Sequence, residues 1–400
     1  MDPGPSLDMM TGAYLDHAAT TPMRPEALSA MTDVLSGPDF GNPSGSHRWA
    51  RQGRRLLDDA RDQVAGVLGA APGEVVFTSG GTEAANLAVL GAAAASTGGG
   101  GGGAVCSAVE HHAVLRAVER LEAGQVVPVD GDALVDLDAL AGLLARAVER
   151  GQPVAVVSVM LANNETGAVN DLDAVAAVVA RESPTTRLHT DAVAAAAWID
   201  LSTATARADL VSISAHKFGG PKGIGVLVVR DGAALRPLMV GGGQERERRS
   251  GTPNVGGAVA LAAALEATAN SRAEAVVRVE ALRERLRGGL VEAIPDIHLT
   301  SPSDPARRTP QTLHVCLPGI DREALLFLLD EAGIAASWGS SCASGASEPS
   351  HVLAAMGVAP DLARGALRLS LGWCSTGADV DVAVECIPAV VSRLRAGATR

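Results

Sequence analysis

Ser212-Ile213-Ser214-Ala215-His216-Lys217-Phe218-Gly219-Gly220-Pro221-Lys222-Gly223-Ile224-Gly225 is the stretch on which the reading of this chain turns. Upstream, Asp209–Ser214 has the β-branched, partly alternating pattern of a buried strand, and Ile224–Val229 is a second apolar run. Between them Lys217 stands in a turn dense in glycine and proline. His216 and the hydroxyls of Ser212 and Ser214 lie beside it in sequence. A lysine so placed suits a Schiff-base nucleophile, because burial and neighbouring cations lower an amine's pKa and free its lone pair. A solvated turn lysine is the plainer alternative. A phosphate loop is another, but the turn contains neither Gly-x-x-x-x-Gly-Lys-Ser/Thr nor Gly-x-Gly-x-x-Gly.

Working outward, strand–loop–helix units recur on the N-terminal side. Val75–Thr78 reads as a strand ending in Ser79-Gly80-Gly81-Thr82-Glu83, which opens an alanine-rich helix to about Ala95. Further strands are expected at Ala104–Ala108, Val126–Val129, Val154–Met160, Arg187–Thr190, Leu210–Ser214 and Ile224–Val229. Helices are expected from Pro25, and at Ala50–Leu68, Leu137–Glu149 and Leu172–Arg181. Such alternation predicts a mainly parallel sheet clothed by helices, with its active cleft at the carboxyl ends of the strands. Gly98–Gly103 leads from no strand into a helix and reads as a surface connection.

After Pro253 the texture changes. A long helix is expected over Val255–Ala293, then strands at Thr312–Leu317, Ile334–Ser337 and Ala366–Leu371. Helices are expected at Arg322–Glu331 and from about Ala378. This predicts a large domain over 14–256 and a smaller α+β domain over 257–400, with 1–13 as a lead-in.

Bulk properties bound the function. The chain has 400 residues, 47% of them hydrophobic and only 2% aromatic, so two cores built from Ala, Val and Leu are expected. A net charge of −12 argues against direct, sequence-independent binding to nucleic acid or an anionic membrane. There is neither an apolar run long enough to span a bilayer nor a basic-then-apolar N-terminus, so a cytoplasmic location is expected. Cys106, Cys316, Cys342, Cys374 and Cys386 have no Cys-x-x-Cys spacing, which predicts reduced thiols. All but Cys342 fall in apolar segments or, for Cys374, beside Trp373, and read as packed.

Polar groups collect at the strand ends. Gly80-Gly81-Thr82 offers free N–H groups at a helix start, suited to a phosphate or to an ordinary cap. Asp191 could hold a protonated ring nitrogen, or cap a helix. His111 could lie flat over an aromatic ligand. Asn164 lies in the polar turn Asn163-Asn164-Glu165-Thr166-Gly167. No H-x-x-x-H or carboxylate–histidine cluster points to a metal. Phosphate cradle, acid, stacking imidazole and lysine, in that chemistry, specify pyridoxal 5'-phosphate.

Along nearly its whole length the chain also resembles the group I cysteine desulfurases of the class V aminotransferase family, fold-type I pyridoxal-phosphate enzymes. The resemblance rests on Tyr14–Pro22, Gly41–Ser44, Phe77–Glu83, Glu110–Val114, Asn163–Glu165, Ser214–Gly223, Gly241–Arg246, Arg249–Thr252, Gly339–Gly345, Glu348–Leu353 and Leu367–Gly372. It implies a seven-stranded, mainly parallel sheet in the large domain. It implies that Lys217 carries the cofactor, that Asp191 pairs with the ring nitrogen, and that His111 stacks and moves protons. Gly81, Thr82, Ser214 and His216 would hold the phosphate, joined by Thr252 from the partner subunit of a homodimer. Asn164 would contact cofactor and substrate, and Arg368 would clamp the carboxylate of L-cysteine. Cys342 would accept the sulfur as a persulfide, leaving alanine, and would pass it to an acceptor or scaffold protein. Iron–sulfur cluster biogenesis, tRNA thiolation, DNA modification and cofactor synthesis are all open as destinations.

Selenocysteine lyase and other enzymes of the same fold are the nearest rivals, and a scaffold that has lost catalysis is a third. Two positions depart from the family pattern: Ala194 stands where Gln is usual, and Trp338 where a small residue is usual.

Overall fold

The computed structural model describes residues 12–96, 102–152, 154–230, 232–339 and 350–398. Cys342 and most of the Gly98–Gly103 run lie outside the described residues. The chain forms two compact units, one of Thr21–Asn163 with Val169–Arg272, the other of Met1–Thr20, Asn164–Ala168 and Ala273–Arg400. The division thus falls within the helix Val255–Ala293 instead of at 256/257, and two short N-terminal-half segments join the second unit. Each borrowed segment pairs there by backbone hydrogen bonds, which composition does not reveal.

The second unit contains β1 (Ala13–Tyr14). The first unit is built on a seven-stranded sheet of β2 (Val75–Thr78), β3 (Gly103–Ser107), β4 (Gly124–Val127), β5 (Val154–Ser158), β6 (Arg187–Asp191), β7 (Leu210–Ser214) and β8 (Gly225–Val229). Their order is β2-β8-β7-β6-β5-β3-β4. Pairings from β7 through β4 are parallel, whereas β8 runs antiparallel to both β7 and β2. Parallel neighbours need a long crossover; the Lys217 turn is too short for one, so the chain returns as a hairpin.

Alternate strand residues feed two cores. Val75, Phe77, Val105, Val157, Leu188, Val211, Ile213 and Val226 face one, packed by residues of the helices Arg48–Leu68, Leu137–Glu149, Leu172–Glu182 and the start of Val255–Ala293. Val76, Ala104, Cys106, Val156, Leu210 and Leu227 face the other, under the helices Gly81–Ala95 and His112–Glu119. Both faces are covered, which is why these strands read as unbroken apolar runs. The fourth strand starts two residues earlier than expected and stops at Val127, because Pro128 has no N–H to donate to a ladder.

The second unit holds a three-stranded antiparallel sheet of β9 (His298–Leu299), β10 (Thr312–Cys316) and β12 (Ala366–Ser370), ordered β12-β10-β9. Between them in sequence, β11 (Ile334–Ala335) pairs in parallel with β1. The expected strand Ile334–Ser337 is shorter, though Ser337 forms an isolated bridge to Arg368. The helices Arg322–Glu331 and Gly377–Ala398 fall where sequence places them. The short helices Leu201–Ala204, His351–Ala355 and Pro360–Ala363 are additional findings; a few residues carry too little periodicity to be read.

Among the described residues no helix is long and apolar enough to cross a membrane. Cys106 and Cys316 are buried, and burial pushes the Cys316 thiol up to about 12. Cys374 and Cys386 are partly buried.

Candidate active site

In the first unit the strand ends carry the residues singled out from sequence. Gly80 caps the helix Gly81–Ala95 and brings no side chain to its first N–H groups. A helix start in that condition is an anion site. Gly81 is closely packed: a Cβ there would lie 2.8 Å from Val193 Cγ2 and 3.4 Å from Ser214 Cβ. The glycine therefore lets the ends of β2 and β7 approach. Asn86 Nδ2 donates to the carbonyls of Thr82 at 2.9 Å and Ala113 at 3.1 Å. That side chain ties the Thr82 helix start to the next one, where His111 is the cap.

His111 Nδ1 accepts the Ala113 N–H at 3.1 Å. A neutral ring in this role carries its proton on Nε2. The turn before it is anchored too: Glu110 Oε1 accepts from Met160 N at 2.5 Å, and Asn163 Nδ2 donates to Val109 O at 3.0 Å. Glu110 is fully buried, and burial together with nearby Asp191 raises its pKa well above the carboxylate range.

Asp191 ends β6 and is 5% exposed. One oxygen accepts from Val193 N at 2.9 Å. Burial raises its pKa to about 6, while the Val193 N–H and the charge of Lys217 pull the other way. Two residues earlier on the same face, His189 bonds Ser158 Oγ at 2.8 Å and Ser212 Oγ at 2.9 Å, bridging β5, β6 and β7. Burial holds that imidazole down at about 3, hence neutral.

Lys217 follows β7 in a one-turn 3-10 helix, Ala215–Lys217. Gly219 and Gly223, at φ of +90° and +82°, turn the chain back toward β8 in the left-handed region. His216 is held down at about 4 by burial and by Lys217 and Lys222. Its carbonyl accepts from Thr21 N at 3.2 Å. Thr252 lines a cavity of about 120 Å³ with Thr78, Ser79, Gly223 and Arg249. Ala194 packs against the larger core.

The second unit holds Asn164 and Arg368. Arg368, on β12, is 1% exposed. Its Nη1 donates to Asn164 O at 2.9 Å, and Nη2 to Asp16 Oδ1 at 2.9 Å and Ser337 Oγ at 2.8 Å. Its buried Nε has no protein acceptor among the described residues. A guanidinium pinned in this way is held in one orientation, with Nη2 engaged by Asp16 and Ser337. Sequence reading assigned no role to Asp16, Ser337 or Asn86; the first lies within a quoted motif, but nothing local says which guanidinium it faces.

The site also fits the cofactor the residues imply. Gly80-Gly81 leaves a helix start unfilled by side chains, and Asp191 is a buried carboxyl whose raised pKa a ring cation would reverse.

Residues 13–382 match the Aminotransferase class-V family. The chain is 44% identical over 393 residues to an IscS-like cysteine desulfurase of Mycobacterium tuberculosis (strain ATCC 25618 / H37Rv), covering 96% of this chain and 98% of that one. Among solved structures it is similar to a NifS-like protein with a TM-score of 0.86 and 34% identity, covering 96% of this chain and 100% of that one. It is also similar to SspA in complex with cysteine, with a TM-score of 0.74 and 28% identity over 91% of this chain and 100% of that one. A match this long, over strands, turns and termini alike, makes the chain a member of the class-V aminotransferase family, within its cysteine desulfurases.

Proposed function

We propose that this cysteine desulfurase takes sulfur from L-cysteine onto Cys342, releases L-alanine, and hands the sulfur to an acceptor protein. The observation that carries the reading is the buried carboxyl of Asp191 at the end of β6, with Lys217 just after the neighbouring strand β7 and the uncapped helix start at Gly81 following β2. Pyridoxal 5'-phosphate, when bound there, supplies an electron sink that acidifies the amino acid's Cα–H.

Each residue then has a physical task. Lys217 would hold the cofactor through its amine. Asp191 would pair with the ring nitrogen and favour its protonated form. Gly81, Thr82, Ser214 and His216 would hold the phosphate with N–H and hydroxyl donors. His111, fixed by the Ala113 N–H, moves protons at the substrate. Arg368, braced by Asp16 and Ser337, binds the α-carboxylate, with Asn164 beside it. The Cys342 thiolate attacks the substrate Sγ. The S–S bond forms as the Cβ–S bond breaks; the electron pair stays on Cβ, which takes up a proton, and the carbon fragment leaves as alanine.

A homodimer completes the reading, with Thr252 reaching the phosphate of the second copy. It is supported by the exposed apolar run Leu238, Met239 and Val240 that leads toward Thr252, and by the exposed, stacked Phe40 and Trp49.

The test is direct. The purified protein, loaded with pyridoxal 5'-phosphate and given L-cysteine with a thiol reductant, should yield equal amounts of alanine and sulfide. Lys217→Ala should abolish both, and Cys342→Ala should abolish sulfur transfer. Absence of alanine from the loaded wild type overturns the reading.

A further inference from the structure

Within the second unit one carboxyl lies against Gly339 and Ser350, the two described residues that flank the segment carrying Cys342. Glu165 is 1% exposed. Ser350 Oγ donates to Glu165 Oε2 at 2.5 Å, and the same hydroxyl accepts from Val352 N and Leu353 N, capping the helix His351–Ala355. On the other side, Gly339 lies so close that a Cβ there would be 3.1 Å from Glu165 Oε2. Glu165 therefore lies between the chain at 339 and the chain at 350, close to both.

The upstream stem is tied further. Ser337 and Arg368 exchange backbone hydrogen bonds, at 2.6 Å from Arg368 N and 3.3 Å from Ser337 N. Ser337 Oγ donates to Gly339 O at 3.1 Å and accepts from Arg368 Nη2 at 2.8 Å. Trp338 O lies 3.3 Å from His314 Nε2. Arg368 Nη1, meanwhile, donates to the carbonyl of Asn164, the residue before Glu165. Guanidinium, Asn164–Glu165 turn and both stems form one continuous hydrogen-bonded frame.

We propose that Glu165 is a positioning residue that registers the two stems of the Cys342 segment to the arginine that binds the substrate carboxylate. It rests on the proposed roles of Cys342 and Arg368. Its carboxyl does not enter the chemistry; it fixes the point from which the thiol sets out, in the frame that holds the substrate. Sulfur transfer is a displacement between two sulfurs and is sensitive to small errors of placement. Binding of cysteine, which uses Arg368 itself, is not expected to feel Glu165 to the same extent.

The experiment compares Glu165→Ala, Glu165→Gln and Ser350→Ala as loaded enzymes. Three readouts are taken: the cysteine dependence of the visible spectral change, the rate of Cys342 persulfide formation in a single turnover, and the rate of Cys342 alkylation by iodoacetamide without substrate. Glu165→Ala should slow persulfide formation by ~10-fold or more and alter the alkylation rate, with the half-saturating cysteine concentration within about two-fold of wild type. Glu165→Gln, whose amide oxygen still accepts from Ser350 Oγ, should recover most of the rate. Ser350→Ala should show the same split more weakly, and it carries the test if Glu165→Ala does not fold. Wild-type persulfide formation in Glu165→Ala or, failing that variant, in Ser350→Ala overturns the proposal. So does equal impairment of cysteine binding and persulfide formation. If Cys342→Ala still transfers sulfur at the wild-type rate, it is the assignment of Cys342 that fails, independently of Glu165.

Discussion

Arg61 and Glu245 lie 184 positions apart and form a two-pronged ion pair, Nη1 to Oε2 at 2.8 Å and Nη2 to Oε1 at 2.7 Å. Both side chains are nearly buried, at 7% and 5% exposure. Glu245 Oε2 also accepts from Phe77 N at 2.9 Å, and Arg61 Nη1 donates to Val75 O at 2.6 Å. The pair thus clips the Glu245 turn to the β2 strand that leads into Gly80-Gly81.

Removing one partner strands the other in a poorly solvated place. Arg61→Ala should cost about 3–5 kcal/mol, whereas Arg61→Met with Glu245→Leu should cost much less. Urea unfolding of the single and double variants checks this; a single-variant loss below about 1 kcal/mol would contradict the role given to the pair.

The same turn holds three consecutive non-glycine residues in the left-handed region, Glu245, Arg246 and Glu247 at φ of +49°, +55° and +63°. Glu247 is exposed. Glycine relieves roughly 1–2 kcal/mol of backbone strain there and gives back part of it as unfolded-chain entropy. Glu247→Gly should therefore raise stability by about 0.5–1 kcal/mol, read as a higher thermal midpoint without change in activity.

Asp191 makes a pH prediction with a definite sign. Its folded pKa of about 6 exceeds the usual 3.8, so the folded protein holds a proton that the unfolded chain has released. In the cofactor-free protein this contribution to stability is present below pH 3.8, declines as pH rises toward 6, and is absent above it. Asp191→Asn, which still accepts from Val193 N, should match the wild type at low pH and exceed it above pH 6 by roughly 1–3 kcal/mol. With the cofactor present the order reverses, since only the carboxylate pairs with a ring cation. Unfolding midpoints at pH 3.5 and pH 8 without pyridoxal phosphate, and at pH 8 with it, decide it.

Ala194 provides no donor at a position where the family usually has Gln. Ala194→Gln should lower the pH midpoint of the visible absorbance transition, because an added hydrogen bond to the phenolic oxygen stabilises its negative charge. Superimposable titrations of variant and wild type would remove this explanation for the substitution.

Trp338 packs against the cluster of Cys316, Leu353, Ala363 and Ala366, with the guanidinium of Arg322 4.0 Å from its ring centroid. Trp338→Ser should destabilise by about 3 kcal/mol through the cavity and the lost cation–π contact. Trp338→Phe should recover most of it, as read by thermal unfolding of the two variants.

The apolar runs at Leu210–Ser214 and Val154–Ser158 and the Gly-Gly-Thr helix start were legible because a strand's or helix's period repeats within a few residues. Lys217, Asp191 and His111 were legible because each follows or ends such a run. Glu165 and Asp16 were visible as motif members yet mute about their partners. Nothing within ten residues of Glu165 indicates that a serine 185 positions away donates to it.

By itself, then, the order of residues determined an alternating α/β chain with an amine, an acid and an imidazole at the ends of three strands, since periodicity and turn chemistry are local properties. Folding in three dimensions decided the antiparallel course of β8, the membership of Asn164–Ala168 in the second unit, and the pairing of Arg368 with Asp16 across 352 positions. The physical reason is that a buried charge takes whichever partner the whole fold brings within about 3 Å, and sequence distance has no bearing on that choice.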